Sequence, residues 1–186
     1  MIIGVTGPIA AGTDSFANFL IEKGFLWFSY SDVLREEMIK QGIPLERMNI
    51  ISFANSWRKK EGTGVLSKKI ISKMHKGKNY VIGNIRNPGE VEELRKSGER
   101  VILVHVDAPL EKRFERARRR NRERDPQTFE DFKKLDTIDL GVGQQEYGQQ
   151  HAAVFKMADY KIMNDGSIED LRNRVYALLS GLGAKA

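Results

Sequence analysis

The sequence predicts a three-layer α/β/α fold built on a mainly parallel, five-stranded sheet. Two observations predict it. Short apolar segments alternate with helical segments along the whole chain, and Arg100–Val106 is a continuous run of mostly β-branched residues. Strands that are separated by helical crossovers form parallel sheets with helices on both sides. A continuous apolar run, unlike an alternating one, is typical of a strand covered on both faces.

Each element follows from apolar spacing and from the residues that end it. The first helical segment places Phe16, Phe19 and Leu20 on one face, and Gly42 and Pro44 end the second. The predicted strands are Met1–Thr6, Phe25–Phe28, Tyr80–Ile82, Arg100–Val106 and Tyr160–Met163. The predicted helices are Asp14–Lys23, Val33–Gln41 with Ser31 or Asp32 as its cap, Leu45–Lys60, Gly64–His75, Gly89–Ser97, Pro109–Arg122, Pro126–Leu140 and Ser167–Leu179. A polar loop rich in glycine and glutamine spans Gly141–Gln150.

Composition narrows the class of protein. The 186 residues suit a single domain with a real core, and the 31 basic and 25 acidic side chains give a formal charge of +6. The absence of cysteine excludes a disulfide scaffold, a cysteine zinc site and a thiol nucleophile. No apolar run approaches the ~20 residues of a membrane span, and no signal peptide precedes the first strand. We therefore expect a cytoplasmic protein without a membrane partner, and its oligomeric state stays open.

The loop after the first strand carries the clearest motif. Ligands bind at the carboxyl ends of strands in such sheets, and here Gly7 and Gly12 have the spacing of G-x-x-x-x-G-K-[ST] between a strand and a helix. The backbone N–H groups of such a loop converge on an anion, and the helix dipole assists them. The alternative is a plain strand-to-helix turn. The residues predicted to bind phosphate are Gly7, Ala10, Ala11, Gly12, Thr13, Asp14 and Ser15.

One position of this loop departs from the motif. Thr13 stands where the lysine that reaches the terminal phosphates is usual, so that position donates a hydrogen bond but carries no charge. Asp14 suits a helix start and would repel phosphate, whereas the Ser15 hydroxyl can still ligate Mg²⁺.

Two further segments resemble adenylate-kinase-like enzymes. Phe28–Glu37 resembles the segment S-x-G-D-x-L-R-E, whose arginine pairs with the acceptor phosphate, and Arg35 is the matching residue. Asn79–Pro88 resembles the third-strand segment that ends hydrophobic-Asp-Gly-x-Arg, and it implies that Arg86 is the second substrate arginine. Gly83 stands at the aspartate position of that pattern, where the carboxylate helps to arrange magnesium and water.

The second half of the chain resembles dephospho-coenzyme A kinases. Val106–Pro109, followed by the basic run to Arg120, is similar to their strand, turn and lid helix, and Arg116 and Arg120 match the lid arginines. The last strand and loop are similar to the segment beside the adenine, which implies an adenine region at Asn164, Asp165 and Gly166. The chain is also similar to a largely archaeal group of P-loop kinase-like proteins, relatives of dephospho-coenzyme A kinase and of phage deoxynucleoside monophosphate kinases. In the phage type the loop reads G-K-D-[ST].

The resemblance implies a P-loop kinase domain over residues 1–186, with a helical substrate region at about 33–76 and a lid at about 110–150. ATP would be the phosphoryl donor, with Mg²⁺ near Ser15, and the catalytic set would be Arg116, Arg120 and Asp32. Asp107 is a further candidate for the metal. Arg113, Lys59 or Lys60 are further candidates to replace the missing lysine charge.

Three functions remain open at the sequence level. The first is a kinase that acts from ATP on a nucleoside monophosphate or on dephospho-coenzyme A. The second is a catalytically impaired nucleotide-binding or regulatory protein, which the substitutions at Thr13 and Gly83 favour. The third, nucleic-acid binding by the basic segment Lys112–Arg124, is unfavoured because acidic residues dilute that segment and Phe114 is its sole aromatic.

Overall fold

All five strands run parallel in one sheet, in the order β2-β3-β1-β4-β5. A computed structural model of the chain describes residues 1–120, 126–141 and 143–183. The strands are β1 (Ile2–Thr6), β2 (Leu26–Ser29), β3 (Tyr80–Gly83), β4 (Val101–Asp107) and β5 (Tyr160–Met163). β1 is central, with Ile3 beside Val81 on one side and beside Ile102 on the other. The predicted fold class is confirmed.

Helices cover both faces of the sheet. The helices of the described residues are α1 (Thr13–Ile21), α2 (Tyr30–Lys40), α3 (Arg47–Glu61), α4 (Val65–Ile71), α5 (Pro88–Arg95), α6 (Leu110–Arg120), α7 (Phe129–Leu140), α8 (His151–Lys156) and α9 (Ile168–Gly181), and all but α6 and α7 pack on the sheet or on each other beside it. Successive β1 side chains point to opposite faces. Ile2 accordingly packs with α2, α3, α4, α5 and α8, and Ile3 packs with α1 and α9.

A third, smaller apolar cluster lies under the loop between β1 and α1. Ile9 of this loop packs against Ala117 of α6 and Phe132 of α7. These two helices therefore do not cover the sheet. They pack on the loop instead, which fixes α6 beside the carboxyl ends of the strands.

Several predicted boundaries shift for local reasons. Ser29, not Ser31 or Asp32, caps α2, because the Ser29 hydroxyl accepts the N–H of Ser31. The helix predicted to His75 ends at Ile71. α8 was not predicted, since six residues give too little periodicity for recognition. Residues 121–122 of the predicted helix and residue 142 of the predicted loop lie outside the described residues.

Candidate functional site

A cleft of about 1210 Å³ opens at the carboxyl ends of β1, β2 and β3. The loop Gly7–Ser15 forms one wall, α2 and α3 form a second, and α6 closes a third. Most of the predicted site residues line this cleft, and they are Gly7, Ala10, Gly12, Thr13, Asp14, Ser15, Asp32, Arg35, Arg86, Arg116 and Arg120. The three predicted adenine-region residues follow β5, and Asn164 reaches the back of the loop.

The loop has a backbone shape that exposes N–H groups. Ala10 has φ +59° and Gly12 has φ +103°, so two residues of the loop are left-handed. Gly12 is the N-cap of α1, and it has no side chain with which to satisfy the first N–H groups of the helix. Those groups have no partner within a helix. Together with the helix dipole they form an anion-binding arrangement.

Side chains from two other segments hold the carbonyl groups of this loop. The Asn164 amide Nδ2 donates to the Ala11 carbonyl at 2.8 Å, and Arg116 approaches the same oxygen at 3.5 Å. The Arg113 guanidinium donates to the Ile9 carbonyl at 3.3 Å. A Cβ atom at Gly12 would overlap the Asn164 amide, so glycine is needed there for space as well as for φ.

Arg113 is a structural residue. Its guanidinium pairs with both carboxylate oxygens of Asp136 on α7, at 2.6 and 2.9 Å, and donates to the Ala108 carbonyl at 3.0 Å. Both side chains are nearly buried. The charge of Arg113 is therefore neutralised behind the loop, and Arg113 does not replace the missing lysine in this arrangement. Lys59, another of the sequence candidates, has its ammonium nitrogen 5.5 Å from the centroid of the Tyr147 ring.

The lid side of the cleft keeps positive charge. Arg116 donates to the Asn164 carbonyl at 2.8 Å, so its hydrogen-bond partners are neutral oxygens. Burial lowers the pKa of Arg116, and the neighbouring Arg119 lowers it further. Arg120, one turn along α6, also lines the cleft.

The opposite side of the cleft carries two arginine–aspartate pairs. Arg35 donates to Asp32 at 3.0 Å on the exposed surface of α2. Arg86, which follows β3, lies 2.6 Å from the buried carboxylate of Asp139 on α7. Burial acts to lower the pKa of Arg86, but the carboxylate of Asp139 outweighs burial and raises that pKa above its ordinary value.

The end of β3 explains the absent aspartate. A Cβ atom at Gly83 would collide with the indole of Trp27, which lines the cleft from β2. Asn84 follows with φ +63°, at the position where the resembled pattern has glycine, and its amide donates to the Ser29 hydroxyl at 2.9 Å. The large indole therefore stands where the third-strand carboxylate is usual.

A buried histidine that the sequence analysis did not single out, His151, contacts the cleft-lining residue Thr6. His151 Nε2 is 2.8 Å from the hydroxyl of Thr6, and that hydroxyl donates to the Ile85 carbonyl at 2.9 Å. Because the hydroxyl has one proton, His151 Nε2 is the donor. Burial lowers the pKa of His151 to about 3, and the nearby charge of Arg86 contributes.

The glycine- and glutamine-rich loop is tied to the end of β3. Asn87 donates from its amide to the carbonyls of Glu146 and Gly148, at 2.7 and 2.9 Å. The N–H of Gln150 donates to the Arg86 carbonyl at 2.7 Å. These bonds bring Gln149 to the cleft wall.

The donors available for Mg²⁺ are few. Ser15 and Asp32 both line the cleft, whereas Asp107 accepts the N–H of Ala108 and lies near His105. Within residues 1–120, 126–141 and 143–183, no group of three or more histidine, cysteine, aspartate or glutamate side chains could hold a metal ion. A hydroxyl and one carboxylate fit a magnesium ion whose other ligands are water and phosphate oxygens.

The comparisons with known proteins agree with this geometry. Residues 3–136 match the model of the family described as an AAA domain. A UPF0200 protein of Thermococcus onnurineus is 34% identical over 193 residues and is covered completely, as is this chain. A UPF0200 protein of Sulfurisphaera tokodaii is 33% identical over 180 residues, with 96% of this chain and 95% of the relative covered.

Solved structures share the fold at low identity. The shikimate kinase of Acinetobacter baumannii, in complex with shikimate, superposes with a TM-score of 0.60 at 20% identity and covers 99% of this chain and 95% of its own. The shikimate kinase of Aquifex aeolicus gives 0.59 at 16% identity, with both chains covered in full.

The sheet order, the glycine loop and these neighbours define the class, which is that of P-loop proteins with a kinase-like fold. The relatives define the family. The chain belongs to the AAA-domain family and is also a member of the UPF0200 proteins. In the described parts of the chain, no helix has the length and apolar character that a membrane crossing needs.

Proposed function

We propose that the protein is a phosphotransferase that uses ATP to phosphorylate a hydroxyl group of a nucleotide-like acceptor. One observation carries this proposal. The loop with the left-handed residues Ala10 and Gly12 leads into the N-terminus of α1, and both line a cleft that arginines line from two opposite sides. Phosphoryl transfer consists mostly of positioning and charge stabilisation, and this cleft supplies both.

The half of the cleft formed by the loop Gly7–Ser15 and α6 is the donor half. It can bind a polyphosphate even though the loop lacks the usual lysine. The loop N–H groups and the α1 dipole would hold the β- and γ-phosphates, and Arg116 and Arg120 would supply the cationic charge. Mg²⁺ would be held by Ser15 together with water and phosphate oxygens, and when bound it neutralises charge on the phosphates. The predicted lid role of residues 110–150 and the adenine contact of residues 164–166 belong to this proposal.

The half of the cleft that Arg35 and Arg86 line is the acceptor half. Its charges favour a hydroxyl group over a terminal phosphate as the group that accepts the phosphoryl group. Arg35 and Arg86 are each paired with an aspartate, so this half has two positive and two negative groups. A phosphate dianion gains little net attraction there, whereas a hydroxyl can donate to a carboxylate and accept from a guanidinium. Of the two acceptor types that the sequence leaves open, this supports the dephospho-coenzyme A type, whose acceptor is a hydroxyl.

The proposed step balances with the groups present. The acceptor hydroxyl oxygen bonds to the γ-phosphorus, and the bond from that phosphorus to the β–γ bridging oxygen breaks. The electron pair leaves with ADP, and the hydroxyl proton passes to the carboxylate of Asp32, an exposed acid that lines the cleft. Arg35 then orients Asp32 through their 3.0 Å hydrogen bond.

A nucleotide-binding regulator is the second candidate, and the end of β3 favours it. The Trp27 indole fills the place of a third-strand carboxylate at Gly83, and Thr13 replaces the lysine. Removal of one strong donor typically costs ~2.7–4 kcal/mol of transition-state stabilisation, and two such losses would leave binding without useful turnover.

Calorimetric titration with ATP, with and without Mg²⁺, tests the shared part of both candidates. We expect the wild type to bind, and Thr13→Lys to bind about 10- to 100-fold more tightly through one charge-assisted contact. Thr137→Lys adds the same charge on the exposed face of α7 and should leave the affinity unchanged. If the wild type binds no ATP in either condition, the phosphotransferase proposal is wrong.

Acceptor screening separates the two candidates. Transfer of radiolabelled γ-phosphate would be followed with dephospho-coenzyme A, nucleosides and nucleoside monophosphates as acceptors. Label on a hydroxyl supports the phosphotransferase. ATP binding without transfer to any acceptor class favours the regulator, and label on a monophosphate would contradict the hydroxyl preference.

A further inference from the structure

Asn164 lies in a region that the sequence assigned to adenine, yet its side chain faces the phosphate loop. Its amide Nδ2 donates to the Ala11 carbonyl at 2.8 Å, and its side chain is buried. Its own backbone N–H donates to the Asp107 carbonyl at 2.6 Å, which anchors it to the end of β4. A residue so fixed at both ends has little freedom to move toward a ligand.

The bond to Ala11 sets the direction of the next N–H group. In a trans peptide the carbonyl and the N–H point in opposite directions. With the Ala11 carbonyl held against Asn164, the N–H of Gly12 points away from Asn164, on the side where Gly12 lines the cleft. Arg113 does the same for the preceding pair of residues, because it holds the Ile9 carbonyl and so directs the N–H of Ala10.

Packing makes the arrangement specific for Asn164. The amide occupies the space that a side chain at Gly12 would need, and Leu171 of α9 borders the same space. Gly12 adopts φ +103°, a conformation that other residues rarely accept. The left-handed loop and the buried amide therefore require each other.

We propose that Asn164 is a positioning residue of the phosphate loop, which holds the Ala11–Gly12 peptide so that the Gly12 N–H faces the polyphosphate. This inference rests on the proposed function for the identity of the anion. In a loop without lysine the orientation of the N–H groups supplies a larger share of the affinity. Asn164 thus acts through the loop backbone, and its amide touches neither adenine nor phosphate.

The test compares three probes on Asn164→Ala and Asn164→Asp: ATP, inorganic tripolyphosphate and adenosine. We expect both variants to lose about 10-fold affinity for ATP and for tripolyphosphate alike, since an unsatisfied loop carbonyl and a misdirected N–H weaken the same phosphate contacts. Adenosine affinity, measured by NMR titration, should not change. Asn173→Asp is the matched control for added charge, because Asn173 is an exposed residue of α9 that does not line the cleft.

The opposite pattern overturns the inference. If the variants lose affinity for ATP and adenosine but keep it for tripolyphosphate, Asn164 contacts adenine instead. Unchanged affinity for all three probes also contradicts the inference. The amide resonance of Gly12 gives a readout without any ligand, and we expect it to shift in Asn164→Ala and not in Asn173→Asp. If the wild type binds no polyphosphate, the proposed function is wrong. The positioning role is tested separately, because a Gly12 resonance that does not shift in Asn164→Ala would contradict it.

Discussion

The two halves of the cleft neutralise their arginines in different ways. On the donor side Arg116 donates to the carbonyl oxygens of Asn164 and Ala11, which carry no formal charge. On the acceptor side Arg35 and Arg86 each face a carboxylate. The guanidinium of Arg116 is therefore held by neutral oxygens, whereas the two arginines of the acceptor side are held by carboxylates. The difference teaches that one cleft can select a polyphosphate by charge at one end and an acceptor by hydrogen-bond geometry at the other.

The largest expected effect on stability comes from removing Arg113, which supports the phosphate loop on the side away from the cleft. Arg113→Met leaves the buried carboxylate of Asp136 without its ion pair and frees the Ile9 carbonyl, so we expect a loss of about 3–5 kcal/mol in the free energy of unfolding. Urea denaturation measures it. The double variant Arg113→Met, Asp136→Leu should recover most of this loss, because no charge stays buried.

The exposed pair of the acceptor side is the control for that prediction. Arg35→Met removes the same kind of ion pair from a solvated site and should cost less than about 1 kcal/mol. Equal losses for Arg113→Met and Arg35→Met would contradict the distinction between a buried support and a solvated site residue.

The second effect appears on acidification, through the buried His151. The pKa of His151 in the folded chain is about 3, below its ordinary value of 6.5. Between pH 6.5 and pH 3, His151 therefore binds a proton in the unfolded chain but not in the folded chain. The stability that neutral His151 contributes is complete above pH 6.5 and falls by about 1.4 kcal/mol per pH unit as pH drops toward 3.

His151→Gln isolates this contribution. Glutamine can still donate to the Thr6 hydroxyl but does not titrate, so the variant should have a shallower loss of stability between pH 6.5 and pH 4. Thermal or urea unfolding at several pH values gives the two curves. Parallel curves for the wild type and the variant would show that His151 is not held neutral beside Arg86.

The smallest effect tests the charge balance itself. Asp139→Asn leaves Arg86 beside a neutral amide, so the acceptor half gains one positive charge, and the affinity for AMP as a phosphate-bearing acceptor should rise about 10-fold. Asp32→Asn makes the same charge change in the solvated pair and should give a weaker rise. Competition against a fluorescent nucleotide measures both. A fall in AMP affinity for Asp139→Asn would contradict the balanced-half interpretation.

The sequence predicted the fold because the fold depends on patterns that are local. The continuous apolar run of β4 and the spacing of Gly7 and Gly12 are visible without any partner. The family resemblance added Arg116 and Arg120, and both line the cleft. Their catalytic roles, like that of Asp32, and the substrate-binding role of Arg86 stay predictions.

What the sequence could not give are pairings between distant residues. Asp136 and Asp139 lie on α7, and which arginine each would meet depends on how α6 and α7 dock under the loop. The bond between Thr6 and His151 joins residues 145 positions apart. The indole of Trp27 at Gly83 likewise depends on the register of β2 beside β3. Asn164 had a signal, a buried polar residue directly after a strand, but the resemblance to an adenine segment pointed elsewhere.

The central position of β1 in the sheet affects how the chain can fold while it is being synthesised. β1 is translated before both of its neighbours, Tyr80–Ile82 and Val101–His105. At roughly 5–20 residues per second, the apolar strand emerges several seconds before either neighbour exists. Such long-range parallel pairing is intrinsically slow. The segment that carries the phosphate loop can therefore join the sheet only after residues 80–105 have been translated.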